Sequence, residues 1–307
     1  MSRWTRRACL LSAAAALSGC RLANRTAADG RTDLTFLAWG DGDEWRALES
    51  AVATYHSRQN HVRVHLEQVS YKFEERLEVR LAAGAGPDLF RVSYINLGRF
   101  TPGGALIDLS PWLPADLATH FDSVTWSAVQ YRGKPHAVPY HSDTSALVCN
   151  REVLKRAGVR TPDSAGNAWT WDEFVQISRR IRDKKLTEFA FGMNWTFGGA
   201  FRWLNFLYQH QGQLLRDDLL SSAIDSPEAL DTLHWTRNWF DERLTPASAS
   251  TKTGGNVHQL WLAGVVAMQF DVGVNELRLF PPSSPWDVTF CIRDRQNASE
   301  LGGTAIG

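Results

Sequence analysis

The sequence predicts an α/β protein built as two lobes, and three observations carry that reading. The first is length: 307 residues exceed what one hydrophobic core usually organises, so two domains are expected. The second is alternation. Short apolar runs and segments of helical periodicity follow one another as strand, helix, strand, helix, strand between residues 34 and 92, and a similar order resumes after residue 145. That is the pattern of a mostly parallel sheet covered by helices. The third is balance, since 33 basic and 33 acidic side chains cancel and 44% of residues are hydrophobic. Such a chain is an ordinary globular one, without the basic footprint of a nucleic-acid binder. Thirteen Trp, fifteen Phe and six Tyr add large flat surfaces, and each buried indole N–H asks for an acceptor.

The first nineteen residues stand outside this pattern. Arg3, Arg6 and Arg7 precede an uncharged apolar run from Ala8 to Leu17, the anatomy of a secretory signal and too short to span a bilayer. The run closes on Leu17-Ser18-Gly19-Cys20, which resembles the bacterial lipobox: small residues suit the protease, and the Cys20 thiol receives diacylglycerol. A lipoprotein signal peptide over 1–19, a lipid on Cys20 and a polar tether over 20–32 are expected. An ordinary signal with a chance Cys is the plainer alternative. Thr5-Arg6-Arg7 leaves Sec and twin-arginine export both open. Two thiols remain in the mature chain, Cys149 and Cys291. A disulfide and a pair of buried free thiols are both compatible with their apolar surroundings.

The elements follow in order. Leu34 to Trp39 reads as a buried strand ending at Gly40-Asp41-Gly42, and Trp45, Leu48, Val52 and Tyr55 recur at helical spacing. Val62, Val64 and Leu66 alternate as a strand. Phe73, Leu77 and Leu81 mark a helix stopped by Gly84. Asp88 to Val92 is a third strand, with Asp88 expected to cap its turn. In the second half, Ser145 to Cys149 is a strand and Glu152 to Ala157 a helix capped by Gly158. Thr170 and Glu173 form a capping box for a helix that buries Phe174, Ile177 and Ile181. Phe189 to Met193 is a strand and Ala200 to Gln211 an aromatic helix. Ser226-Pro227 opens a helix carrying Leu230, Leu233 and Phe240, and Val265 to Phe270 is a buried strand.

No phosphate loop, zinc-protease, C-x-x-C or nucleophile-elbow motif is present, and no two His share ligand spacing on one helix. No metal or cofactor is expected. Six segments in order carry a resemblance instead: Ala83-Gly84-Ala85-Gly86-Pro87-Asp88-Leu89-Phe90, Gly104 to Leu109, Tyr131-Arg132-Gly133-Lys134-Pro135-His136-Ala137-Val138-Pro139, Leu147 to Asn150, Lys155 to Pro162 with Thr170 to Phe174, and Ala263 to Met268. Together they resemble the sugar-type, maltose-binding-like family of bacterial extracellular solute-binding proteins. Cys149 replaces the Tyr usual at its position. The resemblance implies a two-lobed periplasmic-binding-protein-like (type II) fold with a ligand cleft between lobes: 33–142 as lobe 1, 143–272 as lobe 2, and 273–307 as an incomplete return to lobe 1. It also implies that C-terminal helices are missing. The function implied is a monomeric, lipid-anchored receptor on the outer face of the cytoplasmic membrane or in the periplasm. It would bind a mono- or oligosaccharide without turning it over and pass it to the permease subunits of an ABC transporter.

Ligands of open α/β sheets sit beyond the carboxyl ends of strands. The candidates are therefore Trp39 and Asp41 after the first strand, Tyr94 and Asn96 after the third, and Tyr140, His141 and Asp143 where the chain should cross between lobes. Asp143 also stands where the resemblance places a carboxylate on the ligand. Trp195, Phe197, Phe201 and Trp203 surround Gly198-Gly199, where relatives offer aromatics, and Asp271 ends the Val265 strand. Relatives carry a Trp where this chain has Val274. Flat rings cover the C–H face of a sugar and carboxylates or amides take its hydroxyls.

Three alternatives stand beside this reading. One is a secreted carbohydrate-active enzyme using Asp41, Asp43 or Glu44 as paired carboxylates. Another is a receptor for a glycerol phosphodiester, which would need Arg91 and Arg202, or for a polyamine. The last is a truncated remnant that binds nothing. For the anchor the expectation is direct: the precursor should fractionate with membranes and the Cys20→Ser variant should be released, as judged by fractionation and metabolic lipid labelling.

Overall fold

A computed structural model describes residues 27, 29–195, 199–218, 220–249, 257–270 and 283–307. The signal peptide, Cys20, Phe197, Asp271 and Val274 lie outside the described residues. The chain divides into two compact units and passes between them twice. One unit holds the residues up to His141 together with Thr304–Gly307, and the other holds Ser142–Gly303. Most of the C-terminal return expected from 273 onward therefore groups with the second unit; only the last four residues join the first. The reason is pairing, because Trp286–Thr289 forms a strand of the second sheet.

In the first unit, β1 (Thr32–Ala38), β2 (Val62–Gln68) and β3 (Leu89–Ser93) join β6 (Val138–Asp143) and β11 (Gly302–Ile306) in the order β2-β1-β3-β11-β6. β1 is parallel to β2 and to β3, whereas β11 runs antiparallel to β3 with Thr304 opposite Ser93. Order begins earlier than the tether expected over 20–32, since Asp29 pairs with Arg63 of β2 and Thr32 donates to the His61 carbonyl at 2.9 Å. Helices α1 (Gly42–Arg58) and α2 (Phe73–Ala82) connect the parallel strands. Leu48 is the residue of α1 that is fully buried, packing with Phe36 and Ala38, while Tyr55 is exposed. Asp88 does more than cap a turn. Its carboxylate accepts the Thr35 N–H at 2.9 Å and its own N–H goes to the Thr35 carbonyl at 3.0 Å, stitching β3 to β1. Short helices α3 (Leu97–Phe100) and α4 (Ser123–Ala128) and the hairpin of β4 (Gln130–Tyr131) and β5 (Lys134–Pro135) complete this unit.

The second sheet has the order β10-β7-β9-β8, made from β7 (Leu147–Asn150), β8 (Phe189–Gly192), β9 (Val266–Phe270) and β10 (Trp286–Thr289). Only β8 and β9 are parallel; β7 runs antiparallel to both β9 and β10. The parallel pattern thus holds for β1, β2 and β3 of the first unit and fails here, because β7 enters straight from the crossing with no helix before it. Helix α5 (Arg151–Ala157) starts at Asn150, whose side chain accepts two backbone N–H groups, and ends at Gly158 with φ of 72°. Helix α6 (Trp171–Asp183) carries the expected capping box, with the Thr170 N–H donating to Glu173 at 2.7 Å. Helices α7 (Gly199–Gln209), α8 (Pro227–Asp241) and α9 (Val257–Leu262) follow.

The core of this unit is aromatic. Trp171 stacks on Trp235 at 3.8 Å, and Phe191 meets Trp239 edge-on at 5.0 Å. This packing rotates α8 away from the expected face: Leu230 and Leu233 are exposed, and Ala229, Thr232, Thr236 and Trp239 are buried. Turning Trp239 inward brings both Thr side chains with it. Their hydroxyls then donate to carbonyls one turn back, Thr232 to Glu228 at 2.7 Å and Thr236 to Thr232 at 3.0 Å, so their burial leaves no donor unmade.

Cys149 and Cys291 are free. Register explains it: Cys149 faces Asp287 on β10, while Cys291 lies two residues beyond Thr289, the partner of Leu147, and donates to the Ser145 carbonyl at 3.0 Å. Four strand positions separate the two thiols by about 13 Å, roughly twice the span of a disulfide. Burial pushes both up to about 12, helped by Asp287 at Cys149 and by Glu300 at Cys291. At pH 8 only about one thiol in ten thousand would then be thiolate. Maleimide labelling at pH 8, mapped by peptide mass spectrometry, should leave the buried Cys149 unmodified in the native chain, label the half-buried Cys291 slowly, and modify both after unfolding. Rapid labelling of either native thiol would contradict this packing.

Candidate functional site

Parallel strands bring their carboxyl ends to one edge of the first sheet, where Trp39 follows β1 and Ser93 ends β3. Gly40 turns the chain there, with φ of 151°, and the Gln68 amide donates to its carbonyl at 2.6 Å. A Cβ at this position would lie 3.3 Å from the Glu44 side chain and 3.5 Å from an Arg91 nitrogen. The missing side chain is what lets those two groups approach the turn.

Arg91, in β3, is 1% exposed. Its Nη1 donates to the Trp39 carbonyl at 2.7 Å, its Nε to Thr304 Oγ1 at 3.0 Å, and its Nη2 to the Glu44 carboxylate. The guanidinium lies over the Trp39 ring at 4.6 Å and the Tyr140 ring at 5.4 Å. His141 Nδ1 stands 2.9 Å from Thr304 Oγ1. Trp39, Tyr140 and His141 are therefore brought together, around a residue the sequence reading had considered only as a phosphate contact. Other candidates at this edge have partners of their own. Asp41 is exposed at the start of α1 and accepts from Ser70 at 3.4 Å, Asn96 donates to Glu74 at 3.2 Å, and Tyr94 is buried. Asp43 pairs with Arg46 and Glu44 with Arg91, so the three acids do not form a mutual carboxylate pair.

In the second unit, β8 and β9 end at the edge where β7 begins. Asp143, the exposed last residue of β6, lies against Gly302; a Cβ there would fall 1.7 Å from Asp143 Oδ1. Trp195, just past β8, is half-buried, 6.4 Å from Trp239 and 6.3 Å from Phe240. Its buried Nε1 has no hydrogen-bond partner among the described residues. Phe201 is half-buried on α7. Trp203 is a core residue, 9% exposed, with Nε1 donating to Thr236 at 3.3 Å.

Sequence reasoning missed a polar group at this edge. The Glu300 carboxylate accepts from Ser145 and Asn205, with Arg202 Nε at 3.7 Å. Glu300 sits in a stretch without strand or helix periodicity, so only its place just before Gly302 could have flagged it. Beside it is a pocket of about 480 Å³ whose walls, including Thr144, Phe290, Asn297 and Ser299, carry no charged side chain. That volume suits a small ligand. Arg91 and Arg202, the two cations an anionic ligand would use, each face a carboxylate of their own unit. Among the described residues, no group of three or more His, Cys, Asp or Glu could hold a metal ion, and no helix is long and apolar enough to cross a membrane.

The sequence profile of bacterial extracellular solute-binding proteins matches residues 41–288. An uncharacterized lipoprotein of Streptomyces antibioticus is 30% identical over 54% of this chain and 36% of its own length. The maltotriose-binding protein of Pyrococcus abyssi is 24% identical over 72% of this chain and 45% of its own. The chain thus spans less than half the length of these relatives. Among solved structures, the ABC substrate-binding protein Lmo0181 of Listeria monocytogenes, in complex with cycloalternan, superposes with a TM-score of 0.74 at 22% identity, over 90% of this chain and 70% of that one. The likeness shows a shared fold.

Because Trp203 is enclosed by the core, Trp203→Ala should lower stability by about 3–5 kcal/mol, read from the shift of a urea unfolding midpoint. An unchanged midpoint would place its ring outside the core.

Proposed function

Since the chain belongs to the family of bacterial extracellular solute-binding proteins, a family of binding proteins rather than enzymes, we propose that it is the carbohydrate receptor of an ABC importer. In this reading a lipid on Cys20 holds it at the outer face of the membrane, and as a monomer it hands a mono- or oligosaccharide to permease subunits. One observation carries the choice of a neutral sugar. The carboxyl edges offer aromatic rings, hydroxyls and amides, while the two arginines there each face a carboxylate, the buried Arg91 with Glu44 and the half-buried Arg202 with Glu300. A phosphodiester using Arg91 would have to draw that buried cation from Glu44, at a cost of several kcal/mol.

Binding in this reading is geometric. A flat ring such as Trp39 or Tyr140 covers the apolar face of a pyranose, and carboxylates or amides accept its hydroxyl protons. Affinity comes from face contact and charge-assisted hydrogen bonds in a partly dehydrated site. No bond in the sugar is broken.

Calorimetry against maltotriose, cycloalternan and glucose, with glycerophosphocholine and spermidine as contrasts, tests the class. Chromatography of the mixtures tests for turnover. At least one neutral sugar should bind and be recovered intact; saturable binding of the phosphodiester alone, or steady release of product sugars, would overturn the reading. Trp39→Ala tests one edge and Asp143→Ala the other. Each should weaken the sugar by ~1.5–3 kcal/mol, a tenfold to hundredfold loss. Unchanged affinity in both would move the site elsewhere.

A further inference from the structure

Arg91 places a cation inside a strand whose neighbours Phe90 and Val92 are each 2% exposed. A buried guanidinium without partners is severely destabilising, and this one is fully engaged. Two of its nitrogens reach Glu44 and Thr304, which come from α1 and β11, and a third reaches the backbone of Trp39. The same group that holds the Trp39 carbonyl also lies over the Trp39 ring and approaches the Tyr140 ring. Backbone and side chain of one aromatic are thus fixed by a single planar cation. A Lys ammonium could not do this, because it lacks both the fork and the flat face.

We propose that Arg91 is the positioning residue of the first edge: it sets Trp39 and Tyr140 as preformed stacking faces, and Glu44 and Thr304 hold it in that orientation. Arg91 itself does not touch the ligand. The proposal rests on the reading that this edge binds a sugar, and it adds a restriction. The guanidinium covers one face of the Trp39 indole, and the Phe73 ring meets the indole at a steep angle with centroids 4.6 Å apart. With one face covered by the guanidinium, Trp39 stacks on at most a single sugar ring and is not sandwiched between two. Fixing the ring beforehand spares the ligand the cost of ordering it.

The full chain labelled with 5-fluorotryptophan gives the test, with the Trp39 resonance identified as the fluorine signal lost in Trp39→Phe. In Arg91→Lys and Glu44→Gln that resonance should shift and broaden, while the other assigned fluorine signals and the far-ultraviolet circular dichroism stay as in the parent. Thr304→Val, which removes one acceptor and no charge, should give a smaller shift and serves should Arg91→Lys fail to fold. Affinity for maltotriose, measured on the folded fraction, should fall about tenfold in Arg91→Lys. A Trp39 resonance identical to the parent in Glu44→Gln and Thr304→Val would overturn the proposal. If the resonance responds to these variants but the parent signal moves with no sugar, the positioning role stands and the carbohydrate reading falls.

Discussion

Burial of one positive charge sets the terms for the first unit. Moving the Arg91 guanidinium out of water costs several kcal/mol, and the fold recovers this only by bringing four separate pieces of chain to it. Glu44 comes from α1, the Trp39 carbonyl from the end of β1, Thr304 from β11, and the Tyr140 ring from β6. Thr304 is also paired opposite Ser93 in the sheet, so the cation adds a side-chain tie to backbone pairing already present. Through these contacts the one charge links the end of β1, the start of α1 and two further strands at a single point.

The second unit solves a parallel problem with different materials. Its interior is a continuous aromatic network running from Trp171 through Trp235 and Trp239 to Phe270, and Glu300 gathers Ser145, Asn205 and Arg202 around its carboxylate. Both units thus keep an Arg and a Glu facing each other beside the edge where strands end. The arrangement leaves aromatic and hydroxyl surface there without a strong local field, which is the chemistry a neutral polyol needs.

Much of this was legible in the sequence, and the failures have identifiable causes. The three parallel strands, the Thr170 capping box and the Ser226-Pro227 helix start were legible because each rests on local periodicity or on a hydrogen bond within one turn. The stripe on α8 was misread because size outweighed hydropathy: Trp239 claimed the core and left two leucines in solvent. Sheet order could not be read, since the antiparallel entry of β7 and the place of β10 depend on pairings far apart in the chain. At the candidate site, Trp39 was reachable from the end of a strand, whereas Tyr140 and His141 were singled out at an expected crossing and lie inside β6. Their organiser was not reachable in either way, although a charged residue inside the apolar run Leu89-Phe90-Arg91-Val92 is itself a signal of a buried, paired cation.

The interrupted first unit has a consequence for how the molecule comes into being. Its sheet lacks a strand between β3 and β6 until β11 is in place, and the contact of Arg91 with Thr304 closes over 213 positions. The second unit is one continuous stretch, Ser142–Gly303, made before the Thr304–Ile306 part of that strand leaves the ribosome. Long-range closure of this kind is slow. During the wait, β3 and β6 each present an unpaired edge, and such edges recruit foreign strands. The nascent chain is thus most exposed to misassembly while its N-terminal part waits for Thr304–Gly307 to emerge.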